Sequence, residues 1–247
     1  MIFTIAGKEL RRMFTSPLAW VLLAFLQFIL AWVFLGRLDE YVVAQPQIAM
    51  MPSAPGVTEY VVAHVFGLAL FLLLMLTPLL SMRLIAEERR NQTLPFLISA
   101  PVSVTEIVLG KFVGLLAFLA LAVALPVLMA ASLYAGGRLD LGLLGGNVLG
   151  LLLLCSTFIA VGLYLSCLTA HPLVAGVGTF AVLLGLWLVS AFTTNPDSIL
   201  NVVSLIKHYE TFARGTLTLP DLVYYPVVTA VFLLLSIRRL DADRLRT

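Results

Sequence analysis

Charge is what this sequence has least of. Of 247 residues, 11% are Asp, Glu, Lys or Arg and 61% are hydrophobic, and the mean hydropathy is +1.07. Soluble domains carry roughly 25% charged and about 45–50% apolar residues. A soluble core cannot absorb that excess in a chain of this size, so a non-aqueous solvent is required, and the lipid bilayer supplies one. The same shortage excludes disorder, which needs high charge and low hydrophobicity. With 15 basic and 13 acidic residues the net charge is only +2, and the cations form no stripe, so no nucleic-acid partner is expected. Cysteine is scarce as well. Cys155 and Cys167 share one apolar run and lie about 18 Å apart along a helix. That is beyond disulfide reach, and both read as small buried hydrophobes.

Catalytic signatures are missing too. There is no HExxH, no GxSxG, no metal-spaced His/Cys cluster and no GxxxxGK[ST]. The chain is therefore expected to be no enzyme, to hold no metal or cofactor, and to be unable to hydrolyse ATP by itself. Its apolar runs contain no Asp, Glu, Lys or Arg, which counts against an ion-coupled carrier, a class that keeps acids inside the membrane. His64 reads as a hydrogen-bonded interfacial residue and His171 as a solvated residue before Pro172. Met50 and Met51 offer too few soft ligands for a metal.

What is present is a series of charge-free runs: Met13–Gly36, Tyr60–Met82, Phe112–Gly137, Leu141–Pro196 and Leu222–Ile237. A crossing needs about 20 apolar residues. The double-length run breaks at Thr169-Ala170-His171-Pro172, where proline suits a first helical turn. The last run is extended by Thr218-Leu219-Pro220-Asp221, which reads as a capping box. The sequence thus predicts an all-α polytopic membrane protein, a single transmembrane domain over 1–247. Its six spans fall at about 17–36, 60–82, 110–135, 145–168, 172–193 and 219–238. Pro78, Pro126 and Pro226 fall inside spans and should bend them.

Orientation follows from the cations. Lys8, Arg11, Arg12, Arg83, Arg89, Arg90, Lys111, Arg238, Arg239, Arg244 and Arg246 lie on one side, against Arg37, Arg138, Lys207 and Arg214 on the other. The positive-inside rule makes both termini cytoplasmic, and the chain a multi-pass membrane protein. Residues 1–16 form an amphipathic helix with Ile2, Phe3, Ala6, Leu10, Met13 and Phe14 on one side and Lys8, Arg11, Arg12 and Thr15 on the other. Such a helix suits the interface. Ser16-Pro17 marks its bend into the first span. Arg37–Thr58 reads as an irregular outer loop. Residues 195–218 read as an outer-face helical loop, capped by Asp197, carrying Ile199, Val202, Val203, Leu205 and Ile206, and closed by Gly215.

The loop 83–109 mixes Glu87, Glu88, Arg89 and Arg90 with Leu94, Phe96, Leu97 and Ile98. A plain solvated connector would be polar throughout. The string MRLIAEERRNQTLPFLISAPVSVTEIVLGK resembles the signature loop of permease subunits of the type-two ABC exporter class. The likeness rests on Glu87, Glu88, Thr93, Leu94, Leu97, Pro101, Gly110 and Lys111. It implies a coupling helix seated in a cleft of a separate ATPase, and an elbow helix at the N-terminus. Coupling residues are then Glu87, Glu88 and Arg89, pairing with the ATPase, and Thr93, Leu94, Phe96, Leu97 and Pro101, with the apolar side chains as anchors. Two departures stand out: Gln92 replaces a usual glycine and Pro95 a usual acid. Pro95 should end or restart a helix.

A second motif, Phe212, Arg214, Gly215, Asp221, Tyr224 and Tyr225, is similar to the end of permeases associated with gliding motility and with nitrous-oxide-reductase maturation. Tyr224 and Tyr225 also fit an aromatic belt. Together the resemblances imply two P-loop ATPase subunits that bind ATP and Mg, a second copy of this permease or a related one, and a periplasmic accessory protein. Polar candidates for a transport path are few: Gln27, Thr77, Ser81, Ser132, Asn147, Ser156, Thr157, Ser166, Thr179 and Ser190. So poor a lining suits a lipidic cargo, or a non-transporting scaffold that relays ATPase motion to an envelope partner.

Overall fold

Serine and proline separate the first two helices. Helix α1 covers Ile2–Thr15 and α2 covers Pro17–Ile48, with Ser16 extended between them (φ −85°, ψ 125°) because the following proline ring excludes the helical conformation. The computed structural model describes residues 1–48, 50, 56–99, 102–135, 139–192 and 204–244. A π-helical turn, Thr58–Val62, leads into α3, Ala63–Ser81. Then follow α4 (Ala86–Arg90), α5 (Leu94–Ser99), α6 (Val104–Ser132), α7 (Leu141–Leu168), α8 (Pro172–Phe192), α9 (Leu205–Ala213) and α10 (Leu219–Arg244). Six of these, α2, α3, α6, α7, α8 and α10, are long and apolar enough to cross a bilayer, and no strand occurs among the described residues. The all-α, six-span expectation holds.

Several ends differ from the sequence reading. Helix α2 continues past Gly36 to Ile48, so the first half of the expected irregular loop is helical. Leu38 and Tyr41 explain this, since both pack on the core. Tyr41 also meets the Tyr60 ring at 5.5 Å, and Arg37 pairs with Glu40 at 2.8 Å one turn on. Helix α6 starts at Val104 because Ser103 and Glu106 form a capping box: Ser103 Oγ accepts from Glu106 N at 3.2 Å, and Ser103 N donates to Glu106 Oε2 at 3.1 Å. Helix α7 starts at Leu141, where Asp140 Oδ1 accepts from Gly142 N at 2.9 Å and Leu143 N at 3.1 Å.

Helix α7 is the centre, packed by α3, α6, α8, α9 and α10, with Leu151, Leu154, Phe158, Ile159 and Val161 buried along it. The polar residues read as a path lining are bonded into this packing. Thr77 and Thr179 donate to the carbonyls of Leu73 and Ala175, each at 2.7 Å. Ser156 and Thr157 both meet Thr229 of α10 at 3.1 Å. Gln27 is the exception: its Nε2 reaches Met129 Sδ at 3.5 Å, and its buried Oε1 has no partner among the described residues. The side chain of Ser190 lies outside the described residues. In an apolar solvent a hydroxyl needs such a partner, and interhelical pairs of this kind hold helices together. Cys155 and Cys167 are both free and buried, as expected.

Helix α1 lies alongside the first half of α6 and runs the same way. The Met1 ammonium is 3.5 Å from Glu106, and the Phe14 and Phe118 rings are 5.6 Å apart. Between them Gly110 and Gly114 admit the α1 backbone: a Cβ at Gly114 would stand 2.9 Å from the carbonyl oxygen of Ala6. The buried face of α1 follows the helical wheel at Ala6, Leu10, Met13 and Phe14, and Lys8, Arg11, Arg12 and Thr15 are exposed, but two residues depart from it. Phe3 is 85% exposed, and Glu9 is buried because a cation stands opposite it in α6.

Candidate functional site

At the bundle end that carries both termini, the segment after α3 folds back on the spans. Leu84, Ile85 and Ala86 are buried, and α4 has only five residues. So short a helix is not stable alone. Ser166, near the end of α7, holds its start: Oγ accepts from Ile85 N at 3.1 Å and Ala86 N at 2.9 Å, and donates to the Met82 carbonyl at 3.0 Å. The sequence reading placed Ser166 among path-lining residues, and nothing local marks it as a cap supplied from a distant helix.

Three of the four charged residues of α4, Glu87, Glu88 and Arg89, each meet a different element. Glu88 Oε1 accepts from Lys111 Nζ of α6 at 2.6 Å, and the same ammonium donates to Glu9 Oε1 of α1 at 2.7 Å. Lys111 is 1% exposed. It belongs to the long helix α6, so the spanning helices are not wholly without charge as their apolar runs are. Burying an ammonium costs several kcal/mol, which two carboxylates at hydrogen-bond distance offset. Glu87 pairs with Arg12 of α1 at 2.7 Å, and Arg89 pairs with Asp243 near the end of α10. The half-exposed Arg12–Glu87 pair contributes at most about 1 kcal/mol, so Lys111 is the dominant tie. Glu9 and Lys111 could have been singled out as an acid on the apolar face of α1 and a lone cation at the head of a span.

Helix α4 closes with a Schellman motif. Thr93 N donates to the Glu88 carbonyl at 2.9 Å and Gln92 N to the Arg89 carbonyl at 3.2 Å. Gln92 takes φ +55°, the left-handed region, among described residues the one non-glycine to do so. The glycine of the resembling loops stands at this position, so the departure leaves a strained residue in an unchanged turn. Helix α5 then starts at Leu94, with Pro95 in its first turn, where the missing N–H is not needed. Pro95 restarts a helix, as expected. Leu94 is buried, Leu97 packs on the core, Phe96 is 77% exposed and Thr93 is exposed. Pro101 lies outside the described residues.

At the opposite end α9 lies across the start of α7. Phe212 is fully buried against Gly146 and Gly150, where a Cβ at Gly146 would come 2.5 Å from its carbonyl oxygen. Asn147 bridges the two helices, accepting from Tyr209 Oη at 3.1 Å and donating to the Ala213 carbonyl at 3.3 Å. Burial pushes the Tyr209 phenol up, keeping it a neutral donor. Asp221 accepts from Thr211 Oγ1 at 2.6 Å and from His208 Nδ1 and Thr218 Oγ1, each at 2.5 Å. Tyr224 stacks on His208 with centroids 4.0 Å apart, and Tyr225 Oη donates to the Leu205 carbonyl at 2.8 Å.

Five of the six motif residues, Phe212, Gly215, Asp221, Tyr224 and Tyr225, thus gather around α9. Gly215 ends it at φ +71°, and Arg214 faces outward. Tyr225 is buried, so it is no part of an aromatic belt. Its hydroxyl is drawn inward by a carbonyl of α9. Ser204 caps α9 through Lys207 N at 3.4 Å, while the expected cap Asp197 lies outside the described residues. His64 Nδ1 is 2.8 Å from the Tyr60 carbonyl oxygen, the kind of local bond expected for it. No cluster of metal-ligating side chains occurs among the described residues.

No curated protein matches the chain. The family model described as ABC-2 family transporter protein matches residues 3–243. That match takes in α1, the folded-back segment, all six spanning helices and α9, so the chain belongs to the ABC-2 family transporter proteins, multi-pass permeases of ABC transporters that work with a separate ABC ATPase subunit.

Proposed function

We propose that α4 and α5 form the coupling element on which the ATPase acts. The observation that carries this is the way α4 is tied: Ser166 joins it to α7, Glu88 through Lys111 to α6 and α1, and Arg89 to α10. Displacement of α4 therefore moves several spans together. Glu87, Glu88 and Arg89 act inward, as ties, and the contact with the ATPase falls to exposed Phe96 and Thr93, with Leu94 and Leu97 anchoring α5 from beneath. Large aromatic side chains are favoured as such anchors.

In this reading two ATPase subunits, binding ATP and Mg, drive a pair of permeases in a bacterial inner membrane, with both termini cytoplasmic. The second permease is another copy or a relative, and the outer-face α9 motif allies the chain with gliding-motility and nitrous-oxide-reductase-maturation permeases and with a periplasmic accessory protein. The cargo is lipidic, because the polar side chains of the spans are bonded into packing. The same observation favours a second reading, a scaffold that relays ATPase motion without cargo. Purification in mild detergent with mass spectrometry of what accompanies the chain tests the proposal. An active P-loop ATPase should be recovered in equal amount and lost with Phe96→Asp, while the variant keeps its thermal stability. Recovery unaffected by Phe96→Asp overturns the assignment of α5.

A further inference from the structure

Beside the coupling segment, where α3 ends and α8 begins, lies a cleft of about 440 Å³. Its lining combines the polar Arg83, Arg90, Asn91 and His171 with the apolar Met82, Pro172 and Leu173. The side chains of Arg83, Arg90 and His171 are exposed and have no hydrogen-bond or ion-pair partner among the described residues. Glu87 also lines the cleft, but its carboxylate is held by Arg12 at 2.7 Å. The cleft is thus lined by two guanidiniums without a carboxylate partner and by two further side chains with N–H donors.

Its depth is set by the spans. Arg83 comes just after Ser81, the last residue of α3, and His171 just before Pro172, the first of α8. Both therefore lie at the level of lipid headgroups. From the cleft mouth Leu173 and Val177, 74% and 62% exposed and one turn apart on α8, lead toward the hydrocarbon. Guanidinium pairs bind phosphate oxygens through forked N–H groups.

We infer that this cleft binds the phosphate of an anionic phospholipid, with Arg83 and Arg90 on the phosphate oxygens, Asn91 and His171 as further donors, and an acyl chain along Leu173 and Val177. An acidic loop of the ATPase would need the cations but not the apolar track, and free phosphate likewise; the exposed track that runs from Leu173 in the cleft to Val177 favours a lipid. Occupancy would set a headgroup between α8 and α4, next to the element proposed to couple.

Native mass spectrometry of the full chain in detergent tests this, with phosphatidylglycerol, phosphatidylcholine and inorganic phosphate as probes. Phosphatidylglycerol should bind at least about tenfold more tightly than phosphatidylcholine, a difference of about 1.4 kcal/mol. Arg83→Gln/Arg90→Gln should abolish that preference without lowering thermal stability, and Leu173→Asn should weaken both lipids alike. Should the double variant fold poorly, Arg90→Gln alone should lose part of the preference. Equal binding of the two lipids, a preference that survives both arginine variants, or inorganic phosphate competing at the affinity of phosphatidylglycerol would each overturn the lipid site. The last would reassign it to a free anion.

Discussion

Lys111 and Glu88 stand 2.6 Å apart across the junction of α6 and α4, with the ammonium sealed from solvent by Glu9 on its other side. Replacing Lys111 with Met leaves two carboxylates at one buried site with no cation nearer than Arg12, which stands 4.0 Å from Glu9. Breaking a buried pair in this way costs about 3–5 kcal/mol, so a large drop in detergent melting temperature is expected. Adding Glu9→Gln and Glu88→Gln should restore much of it, because no uncompensated charge then remains. A single Lys111→Met variant as stable as the parent would show that the tie contributes little. For the same reason Glu88→Lys is a poor probe of ATPase docking: it sets two ammonium groups together and disturbs the fold before any partner arrives.

Gln92 offers a change in the opposite direction. Its φ of +55° costs about 1–2 kcal/mol for a residue with a Cβ, and glycine removes that strain at some cost in unfolded-state entropy. Gln92→Gly should therefore stabilise the α4–α5 turn by up to about 1 kcal/mol. Hydrogen exchange at Thr93, whose amide closes the Schellman motif, should slow, while amides of α7 stay unchanged. Faster exchange at Thr93 would contradict the strain.

Asp221 accepts hydrogen bonds from three side chains, His208 and Thr211 on α9 and Thr218 just before α10. Asp221→Ala takes that acceptor from all three, at about 1–3 kcal/mol for each that stays buried and unpaired. Limited proteolysis should then cut between α9 and α10, after Arg214, faster than in the parent. Asp221→Asn keeps one acceptor oxygen and should fall between the two.

How much of this was legible beforehand depends on whether the cause was local. Apolar run length gave the six spans, Thr218-Leu219-Pro220-Asp221 gave the start of α10, and Gly215 gave the end of α9, because each is written in adjacent residues. The extension of α2 to Ile48 was missed because it depends on Tyr41 reaching Tyr60 from another element. In the candidate site the segment was identifiable but its wiring was not. Glu88 and Arg89 read as charges for a partner protein, and their partners Lys111 and Asp243 lie 23 and 154 positions away. Ser166 looked like any span hydroxyl until α4 was folded beside it.

A glycine on the exposed side of α1 and one of α6 beneath it should respond in opposite ways to the same substitution. Gly7 sits in the middle of α1, and a methyl group added there would meet nothing within 4 Å, so Gly7→Ala adds only helix propensity, about 1 kcal/mol of stabilisation. Gly114 faces the α1 backbone, with a Cβ 2.9 Å from the Ala6 carbonyl oxygen and 2.9 Å from the Glu9 Cβ. Neither the backbone nor the first carbon of a side chain held by Lys111 can turn aside, so Gly114→Ala must push α1 away, at about 1–3 kcal/mol. Trypsin reads the difference at Lys8, Arg11 and Arg12, which are exposed on α1. Cleavage there should slow in Gly7→Ala and quicken in Gly114→Ala. If Gly114→Ala leaves it unchanged, α1 is not seated on α6 through that glycine, and the path from Glu9 to Lys111 loses its scaffold.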